Sequence, residues 1–190
     1  MSKKGDLRRE AIVAAAARLF WIRGFAATSI ADIARDAGVP TGNMFYYFRT
    51  KADLALAVAD VFAEETQSLI IEAEAASPDP RQRIRFLLQR LAQSNRSRVD
   101  NGCPISAAVR DFRGTAAEAS TRAGQSFELL VSFIARELQK TGSRPSLAMA
   151  RARAVVIEWQ GGIALAYAFG DMTVLAESLR RAEQSLQFSS

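Results

Sequence analysis

The sequence contains no histidine and only one cysteine, Cys103. Structural and catalytic zinc sites are built mainly from these residue types, so a metalloenzyme is not expected, and a single cysteine excludes an intrachain disulfide. No stretch approaches the roughly 18 consecutive apolar residues of a membrane span. The start, Met-Ser-Lys-Lys-Gly-Asp, leads into a charged segment and not into a signal-peptide core. We therefore expect a cytoplasmic protein with no metal, no cofactor and no membrane partner.

The composition is that of a folded protein with room for two domains. Hydrophobic residues make up 49% of the 190 residues and charged residues 24%, which is typical of globular proteins. Because domains commonly contain about 100–150 residues, a small domain joined to a larger one is expected. The net charge of +5 and the isoelectric point near 9.9 suit a polyanionic partner but do not establish one.

Apolar residues recur at helical spacing along almost the whole chain, and strands are hard to find. Glycine, proline and capping residues divide this pattern into about nine helices, so the predicted fold class is all-α. Gly24 is expected to end the first helix, and Ser77-Pro78-Asp79-Pro80 to break the fourth. The predicted helices cover about 6–23, 29–36, 41–47, 50–76, 81–97, 104–112, 117–140, 146–169 and 172–186.

Two of the predicted helices, 29–36 and 41–47, are short and are separated by a tight turn at Gly38 and Val39. Two short helices joined in this way, with small and polar residues opening the second, form a helix-turn-helix that can bind DNA. Ordinary helical hairpins have the same spacing. The spacing therefore leaves DNA binding and simple helix packing both open.

A defined series of residues within 9–54 favours DNA binding over simple helix packing. The series includes Ala14-Ala15, Leu19-Phe20, Gly24-Phe25, Thr28-Ser29-Ile30, Asp32-Ile33-Ala34, Ala37-Gly38-Val39, Gly42, Tyr46, Phe48, Lys51 and Asp53-Leu54. With these residues, the segment resembles without gaps the DNA-binding domain of the tetracycline-repressor (TetR) family. The resemblance implies that residues 1–50 form a three-helix domain whose third helix enters the major groove. It also implies that residues 51–190 form a larger helical domain that binds a ligand and dimerises.

Within this resemblance, physical roles in DNA binding can be placed on particular residues. Gly42 would let the backbone approach a phosphate, and the Asn43 amide would reach a base edge. Hydroxyls and the amides at helix starts can bind phosphates, and Lys51 supplies a cation. The predicted DNA-binding residues are Thr28, Ser29, Thr41, Gly42, Asn43, Tyr46, Tyr47 and Lys51.

Four positions depart from the common family pattern. Pro40 and Thr41 stand where serine and lysine are frequent, Phe45 replaces a common tyrosine, and Tyr47 replaces a common histidine. These changes alter the hydroxyls and charges that face the groove, so the operator sequence cannot be taken from a relative. The residues predicted to fill the core of the small domain are Ile30, Ile33, Val39, Phe45 and Phe48.

The larger domain carries aromatic residues that could line an apolar effector pocket among helices, although plain core packing is the favoured explanation for each of them. The residues predicted to bind the effector are Phe62, Phe86, Cys103, Phe127 and Trp159. Gly102-Cys103 ahead of a short helix is similar to a subset of the family in which a cysteine responds to electrophiles or oxidants. The alternative is that Cys103 is a small buried apolar side chain.

By resemblance to the family, the last two helices pair with their copies across a two-fold axis. Small residues at Gly161, Gly162, Ala164 and Ala168 would permit close helix approach. The apolar positions expected at this interface are Ala150, Ala154, Ile157, Gly161, Ala164, Leu165, Leu175, Leu179 and Leu186.

The function expected from these features is that of a ligand-responsive repressor. Its partners are operator DNA, a second copy of the chain and a small effector that is apolar or electrophilic. A DNA-binding activator and a corepressor-dependent regulator remain alternatives, as does an accessory protein that binds DNA without ligand control. An enzyme that uses Cys103 as a nucleophile is the least favoured, because the commonest activating base, histidine, is missing.

Overall fold

The computed structural model describes residues 3–93 and 95–186, and within them the chain forms ten α-helices, one 3-10 turn and no strand. The all-α fold class is confirmed. The 3-10 turn Thr41–Asn43 leads directly into α3. The helices are α1 Lys3–Arg23, α2 Ile30–Asp36, α3 Met44–Tyr47, α4 Lys51–Ala76, α5 Pro80–Ala92, α6 Asn95–Asn101, α7 Pro104–Phe112, α8 Ala117–Lys140, α9 Pro145–Phe169 and α10 Met172–Ser185.

The number of α-helices exceeds the predicted nine because the structure has two helices, α5 and α6, where a single helix was expected over 81–97. Helix α5 begins as its sequence suggests: the Asp79 carboxylate accepts a hydrogen bond from the Arg81 amide at 2.9 Å, and Pro80 occupies the first turn. Helix α6 ends at Gly102, whose φ of +75° lies in the left-handed region that favours glycine. Residues 95–101 therefore form a helix of their own.

The described residues form two compact units. Unit 1 falls within residues 1–63 and 104–125, and unit 2 within 64–103 and 126–190, so that α4 and α8 each contribute to both. Unit 1 therefore contains α1 to α3, the first half of α4, all of α7 and the start of α8. The boundary predicted after residue 50 separates a DNA-binding domain from a ligand-binding and dimerisation domain. Because it is defined by function and not by packing, it stays a prediction.

Three phenylalanine rings pack edge to face at the centre of unit 1. Phe20 comes from α1, Phe25 from the turn after it, and Phe112 from the end of α7, with ring centroids 5.0 to 5.8 Å apart. The Asp111 carboxylate also accepts a hydrogen bond from the Phe25 amide at 3.4 Å. Phe112 is completely buried, and truncating such a ring typically costs about 3–5 kcal/mol. Helix α7 is thus part of the core beneath the N-terminal helices.

The core of unit 2 is built around Trp159 of α9, the largest of its fully buried side chains, and Phe133 of α8. The same core contains the buried carboxylate of Glu137, which pairs with Lys140 at 2.6 Å and with Arg83 at 3.3 Å. A buried carboxylate would be costly alone, but two cations offset that cost.

Helices α9 and α10 pack closely against each other at Gly162. A Cβ atom placed on Gly162 would lie 1.9 Å from Ser178 Oγ and 2.6 Å from Ser178 Cβ, so only glycine fits there. Between the helices, Gly170 adopts a left-handed conformation with φ +66°, and Asp171 caps α10 by accepting a hydrogen bond from the Thr173 amide. Nowhere in residues 3–93 and 95–186 does a helix combine the length and hydropathy required to span a membrane.

Candidate functional site

Helix α2 is fixed at its start by a reciprocal pair of hydrogen bonds between Ser29 and Asp32. The Asp32 amide donates to Ser29 Oγ at 3.1 Å, and the Ser29 amide donates to the Asp32 carboxylate at 3.1 Å. This is a capping box, in which two otherwise unpaired amides are satisfied by side chains. The hydrogen bonds from the Ser29 side chain and backbone hold the pKa of Asp32 below its usual value.

The turn after α2 sets the direction of the next helix. Gly38 has φ +65°, and the Val39 amide donates to the Ala34 carbonyl at 2.9 Å, which ends α2 and buries Val39. The 3-10 turn Thr41–Asn43 then begins, with the Asn43 amide donating to the Pro40 carbonyl at 2.9 Å. Thus α2, a short turn and a second short helix follow each other as a helix-turn-helix requires.

The 3-10 turn and α3 present one continuous exposed face, which we call the recognition face. Met44 and Phe48, four residues apart, point inward and are 1% and 6% exposed. Tyr47 is half-buried, and its ring packs edge to face against Tyr46 at 5.2 Å between centroids. The residues of the recognition face are Thr41, Gly42, Asn43, Phe45 and Tyr46.

The prediction that Phe45 belongs to the core is wrong, because its side chain is 62% exposed. In a helix one residue advances the chain by about 100°, so the burial of Met44 turns Phe45 outward. Tyr46 is 79% exposed. Two exposed aromatic rings therefore stand next to Asn43 on the surface that the sequence predicted for DNA contact.

Thr28 and Lys51 have internal roles that differ from those predicted. Thr28 is fully buried, and its hydroxyl donates to the Gly24 carbonyl at 2.8 Å, so the hydroxyl cannot reach a phosphate. The Lys51 ammonium donates to the Phe25 carbonyl and lies 4.3 Å from the centroid of the Phe25 ring. Burial lowers the pKa of Lys51. In this arrangement Lys51 stabilises unit 1.

Other predicted contacts are available on the surface of unit 1. Ser29 is exposed at the start of α2, and Gly42 has open space where a Cβ atom would stand, with no described atom within 4 Å. Packing therefore gives no reason for a glycine at position 42, which leaves room for a close phosphate. Arg49 is exposed immediately after α3 and forms no ion pair with any residue of the described ranges.

The residues predicted to bind an effector are not gathered into one cavity. Phe62 belongs to unit 1, where it lines with Phe112 a cavity of about 10 Å³, room for little more than one water. Cys103 and Trp159 lie in unit 2 and are buried, while Phe86 and Phe127 of the same unit are half-buried. A larger groove of about 420 Å³ lies between α5 and α10. It is lined by Leu88, Gln89, Ala92, Thr173, Ala176, Leu179, Arg180 and Glu183, none of which was predicted.

The residues predicted for a dimer interface divide into two groups. On α9, Ile157 is 70% exposed, Leu165 is 50% exposed, and Gly161 has no described atom within 4 Å of a Cβ position. In contrast, Gly162 packs against Ser178 of the same chain. The leucines of α10 are buried in unit 2, at 0% exposure for Leu175, 7% for Leu179 and 1% for Leu186. Only the α9 group is free to meet a second copy.

The described residues contain no group of three or more histidine, cysteine or acidic side chains suited to hold a metal. The described surface that combines exposed polar groups with exposed aromatic rings on a helix-turn-helix is the recognition face. Its chemistry is that of hydrogen bonding to phosphates and base edges, with apolar contact from the rings.

Comparison with known proteins gives two family profiles that match successive parts of the chain. The profile described as bacterial regulatory proteins, tetR family, matches residues 12–58, and the profile described as transcriptional regulator LmrA/YxaF-like, C-terminal domain, matches residues 80–181. The HTH-type transcriptional regulator YxaF of Bacillus subtilis is 25% identical over 177 residues, which cover 92% of each chain. LmrA of the same species is 25% identical over 169 residues, covering 88% of this chain and 90% of LmrA.

A solved structure shows the same fold over nearly the whole length. The crystal structure of a TetR transcriptional regulator from Chloroflexus aurantiacus superimposes with a TM-score of 0.83 at 25% sequence identity, covering 99% of this chain and 98% of that chain. The architecture is thus shared from the N-terminal helices to the end of α10, well beyond the segment matched by the first profile.

Proposed function

Because the chain belongs to the TetR family of bacterial regulatory proteins, with a C-terminal domain of the LmrA/YxaF-like type, we propose that it represses transcription as a homodimer bound to a palindromic operator. Regulators of this family are typically repressors that respond to a ligand. The observation that carries the proposal is the recognition face, where Phe45 and Tyr46 are exposed on a helix of four residues. Large exposed apolar rings beside polar groups mark a surface that a partner covers.

The chemistry of the recognition face fits double-stranded DNA. The Asn43 amide can donate and accept at an adenine edge in the major groove, and the hydroxyls of Thr41 and Tyr46 can donate to phosphates. Arg49 adds an exposed positive charge beside them. In a symmetric dimer two such faces would meet half-sites about 34–36 Å apart, which is one turn of the double helix.

Release from DNA would follow from effector binding in unit 2. An apolar or thiol-reactive compound that binds one arrangement of α4 better than another shifts the population toward that arrangement. Since α4 contributes to both units, a displacement of this helix changes the separation of the two recognition faces in the dimer. A regulator of this kind acts in the cytoplasm, where its operator lies.

The test is fluorescence anisotropy of the full-length protein with a labelled duplex from upstream of its own coding sequence, at several salt concentrations. We expect tight binding to a palindrome, with an affinity that falls steeply as salt rises, because phosphate contacts release counterions. Asn43→Ala should weaken binding by about 5- to 150-fold, the range for loss of a specific base contact.

Two control variants separate contact with DNA from general damage. Tyr46→Phe keeps the ring and removes only the hydroxyl, so it should retain part of the affinity and leave the salt dependence unchanged, because a neutral hydroxyl releases no counterion. Tyr167→Phe alters another exposed tyrosine, in unit 2, and should leave DNA binding unchanged. A folded dimer that binds the palindrome no better than random DNA would contradict the proposal. Binding that appears only with an added compound, or that raises transcription, would replace repression by corepression or activation.

A further inference from the structure

A half-buried cation and a buried indole stand together in unit 2. Arg98 lies on α6 and Trp159 on α9, and the central carbon of the Arg98 guanidinium is 5.2 Å from the centroid of the Trp159 ring. One guanidinium nitrogen, Nη1, donates to the Leu91 carbonyl at 2.9 Å. Trp159 is only 1% exposed. The geometry fixes both side chains in a region shielded from solvent.

Each of these side chains carries a buried donor that is not used within the described chain. Arg98 Nε and Trp159 Nε1 are both buried, and neither has a hydrogen-bond partner among the described residues. Most buried polar atoms in proteins do have a partner, and an unmade hydrogen bond in the interior is costly. Two adjacent donors without acceptors therefore indicate a place where a hydrogen-bond acceptor from outside the chain would be stabilised.

The charge of Arg98 is also uncompensated. No carboxylate within residues 3–93 and 95–186 forms an ion pair with Arg98, in contrast to Arg83, which reaches Glu137 in the same unit. Burial accordingly lowers the pKa of Arg98. The effect of Cys103 on this pKa is opposite in direction to that of burial and is the smaller of the two. The donors of a guanidinium that is largely removed from water are usually paired.

We propose that Arg98 and Trp159 form the anion-binding part of the effector site, and that the effector is a small apolar compound with one carboxylate. A carboxylate supplies one negative charge for one guanidinium and two acceptor oxygens for two donors, Arg98 Nε and Trp159 Nε1. Leu91 and Val99 nearby in the sequence are buried, which favours an apolar body for the compound. This inference rests on the proposed function, since it names the chemical class of the effector.

Three acids, benzoate, 2-naphthoate and decanoate, would be tested as probes, each against its neutral primary amide. The full-length Trp21→Phe protein retains Trp159 as its one tryptophan, so a change in its emission reports binding at this site. We expect at least one acid to bind about tenfold or more tightly than its amide, because only the acid neutralises Arg98. Isothermal titration of the unmodified protein provides an independent affinity.

Matched variants decide whether the preference for the acid comes from Arg98. Arg98→Met nearly keeps the length of the side chain and removes the charge, so it should abolish the preference in a protein that still unfolds cooperatively. Loss of the hydrogen bond to the Leu91 carbonyl should lower its melting temperature slightly. Cys103→Ser should keep the preference, because the thiol is not one of the donors. The inference is overturned if no acid binds, if acid and amide bind equally, or if Arg98→Met keeps the preference for the acid.

The failure of this inference and that of the proposed function give different results. If the protein binds its palindrome but shows no acid preference that depends on Arg98, the repressor remains and the acid site is rejected. If the protein binds no specific DNA yet prefers acids through Arg98, the site stands and the repressor is rejected. Release of operator DNA by the bound acid from the unmodified protein, but not from Arg98→Met, would support both.

Discussion

The exposed ring of Phe45 leads to a prediction about which base the protein contacts. The ring is 62% exposed on the recognition face, and without a hydroxyl it can contact DNA only through apolar atoms. In the major groove the apolar group is the thymine methyl. Phe45→Ala should therefore weaken operator binding, and replacing the contacted thymine by uracil should weaken binding of the unmodified protein by about fourfold, as for one buried methyl group.

The uracil substitution also supplies the control for this prediction. If Phe45 contacts the methyl group, removing the methyl should cost the Phe45→Ala variant nothing further, because the two changes remove the same contact. Equal losses in both proteins, at every thymine of the palindrome, would show that Phe45 does not read thymine. Both affinities are measured by anisotropy on duplexes that differ at one base.

For individual residues, the sequence predicted which side chains are exposed better than it predicted what each side chain contacts. Thr41, Asn43 and Tyr46 were assigned to an exposed helix, and the structure exposes them. Thr28 and Lys51 fell in the same matching segment but turn inward, toward the Gly24 and Phe25 carbonyls. Their partners are set by tertiary packing, which local sequence does not reveal.

Among the helices, the start of α2 gives a prediction for pH dependence. The hydrogen bonds from Ser29 lower the pKa of Asp32 in the folded protein relative to the unfolded chain. A lowered pKa contributes stability that is present above the unfolded value, near 3.8, and is lost as pH falls through the folded value. Asp32→Asn should therefore lower the melting temperature at pH 7, and the difference should shrink as the pH falls below about 4.

A matched variant in the same helix tests the origin of this effect. Ser29→Ala removes the first cause of the shift, so it should raise the pKa of Asp32, which titration followed by carboxyl carbon NMR can measure. A gap between Asp32→Asn and the unmodified protein that stays constant down to pH 2 would exclude the capping box as the source of the pH dependence.

Replacing Gly161 or Gly162 of α9 by alanine should change the free energy of unfolding in opposite directions. A methyl group at Gly162 would overlap Ser178 Oγ at 1.9 Å, so Gly162→Ala should lower the free energy of unfolding by about 1–3 kcal/mol through forced separation of α9 and α10. The methyl group of Gly161→Ala would lie in open space in the protomer. Because alanine has the higher helix propensity, this variant should raise the free energy of unfolding of the protomer by up to about 1 kcal/mol. Urea unfolding of the two variants side by side checks this difference, and equal effects would contradict it.

Element boundaries were predictable where one residue imposes them. Gly24, Ser29, Thr50 and Pro80 lie at or next to helix ends in the structure as they did in the prediction, because a left-handed glycine, a capping side chain or a proline acts locally. The separation of α5 from α6 was missed. Helix α5 ends before Gln93, a helix former with ordinary αR backbone angles, so no glycine or proline marks the end. The cap-type residues Ser94 and Asn95 that follow are the signal that could have shown a new helix start.

For the whole molecule, the exposed face of α9 predicts how two copies associate. Ile157 and Leu165 are large, apolar and half or more exposed, and the leucines of α10 are already buried within the chain. Ile157→Asp should therefore give a folded protein that light scattering shows to be a monomer, since the Ile157 side chain is not part of the core of unit 2. Its operator affinity should fall by about 100-fold or more through loss of bivalent contact.

Ser132→Asp, an exposed change on α8, serves as the comparison for Ile157→Asp and should leave the dimer intact if apolar contact through α9 drives association. A dimer that persists with aspartate at position 157 would place the interface elsewhere. The sequence predicted that α9 and α10 share this role. It could not distinguish leucines that meet a partner from leucines that fill the protomer, because both have the same helical spacing.

Unit 1 is built from two separate segments of the chain, and this affects how parts of such regulators can be exchanged. Phe112 and Asp111 reach Phe20 and Phe25 from a point about 90 residues later in the chain. A chimaera that joins the first 60 residues of this protein to the rest of another regulator would leave behind Phe112, one of the three rings of that aromatic cluster. Successful exchange of DNA specificity, in the laboratory or by gene shuffling, therefore has to transplant α7 together with the N-terminal helices, or else replace only the recognition face.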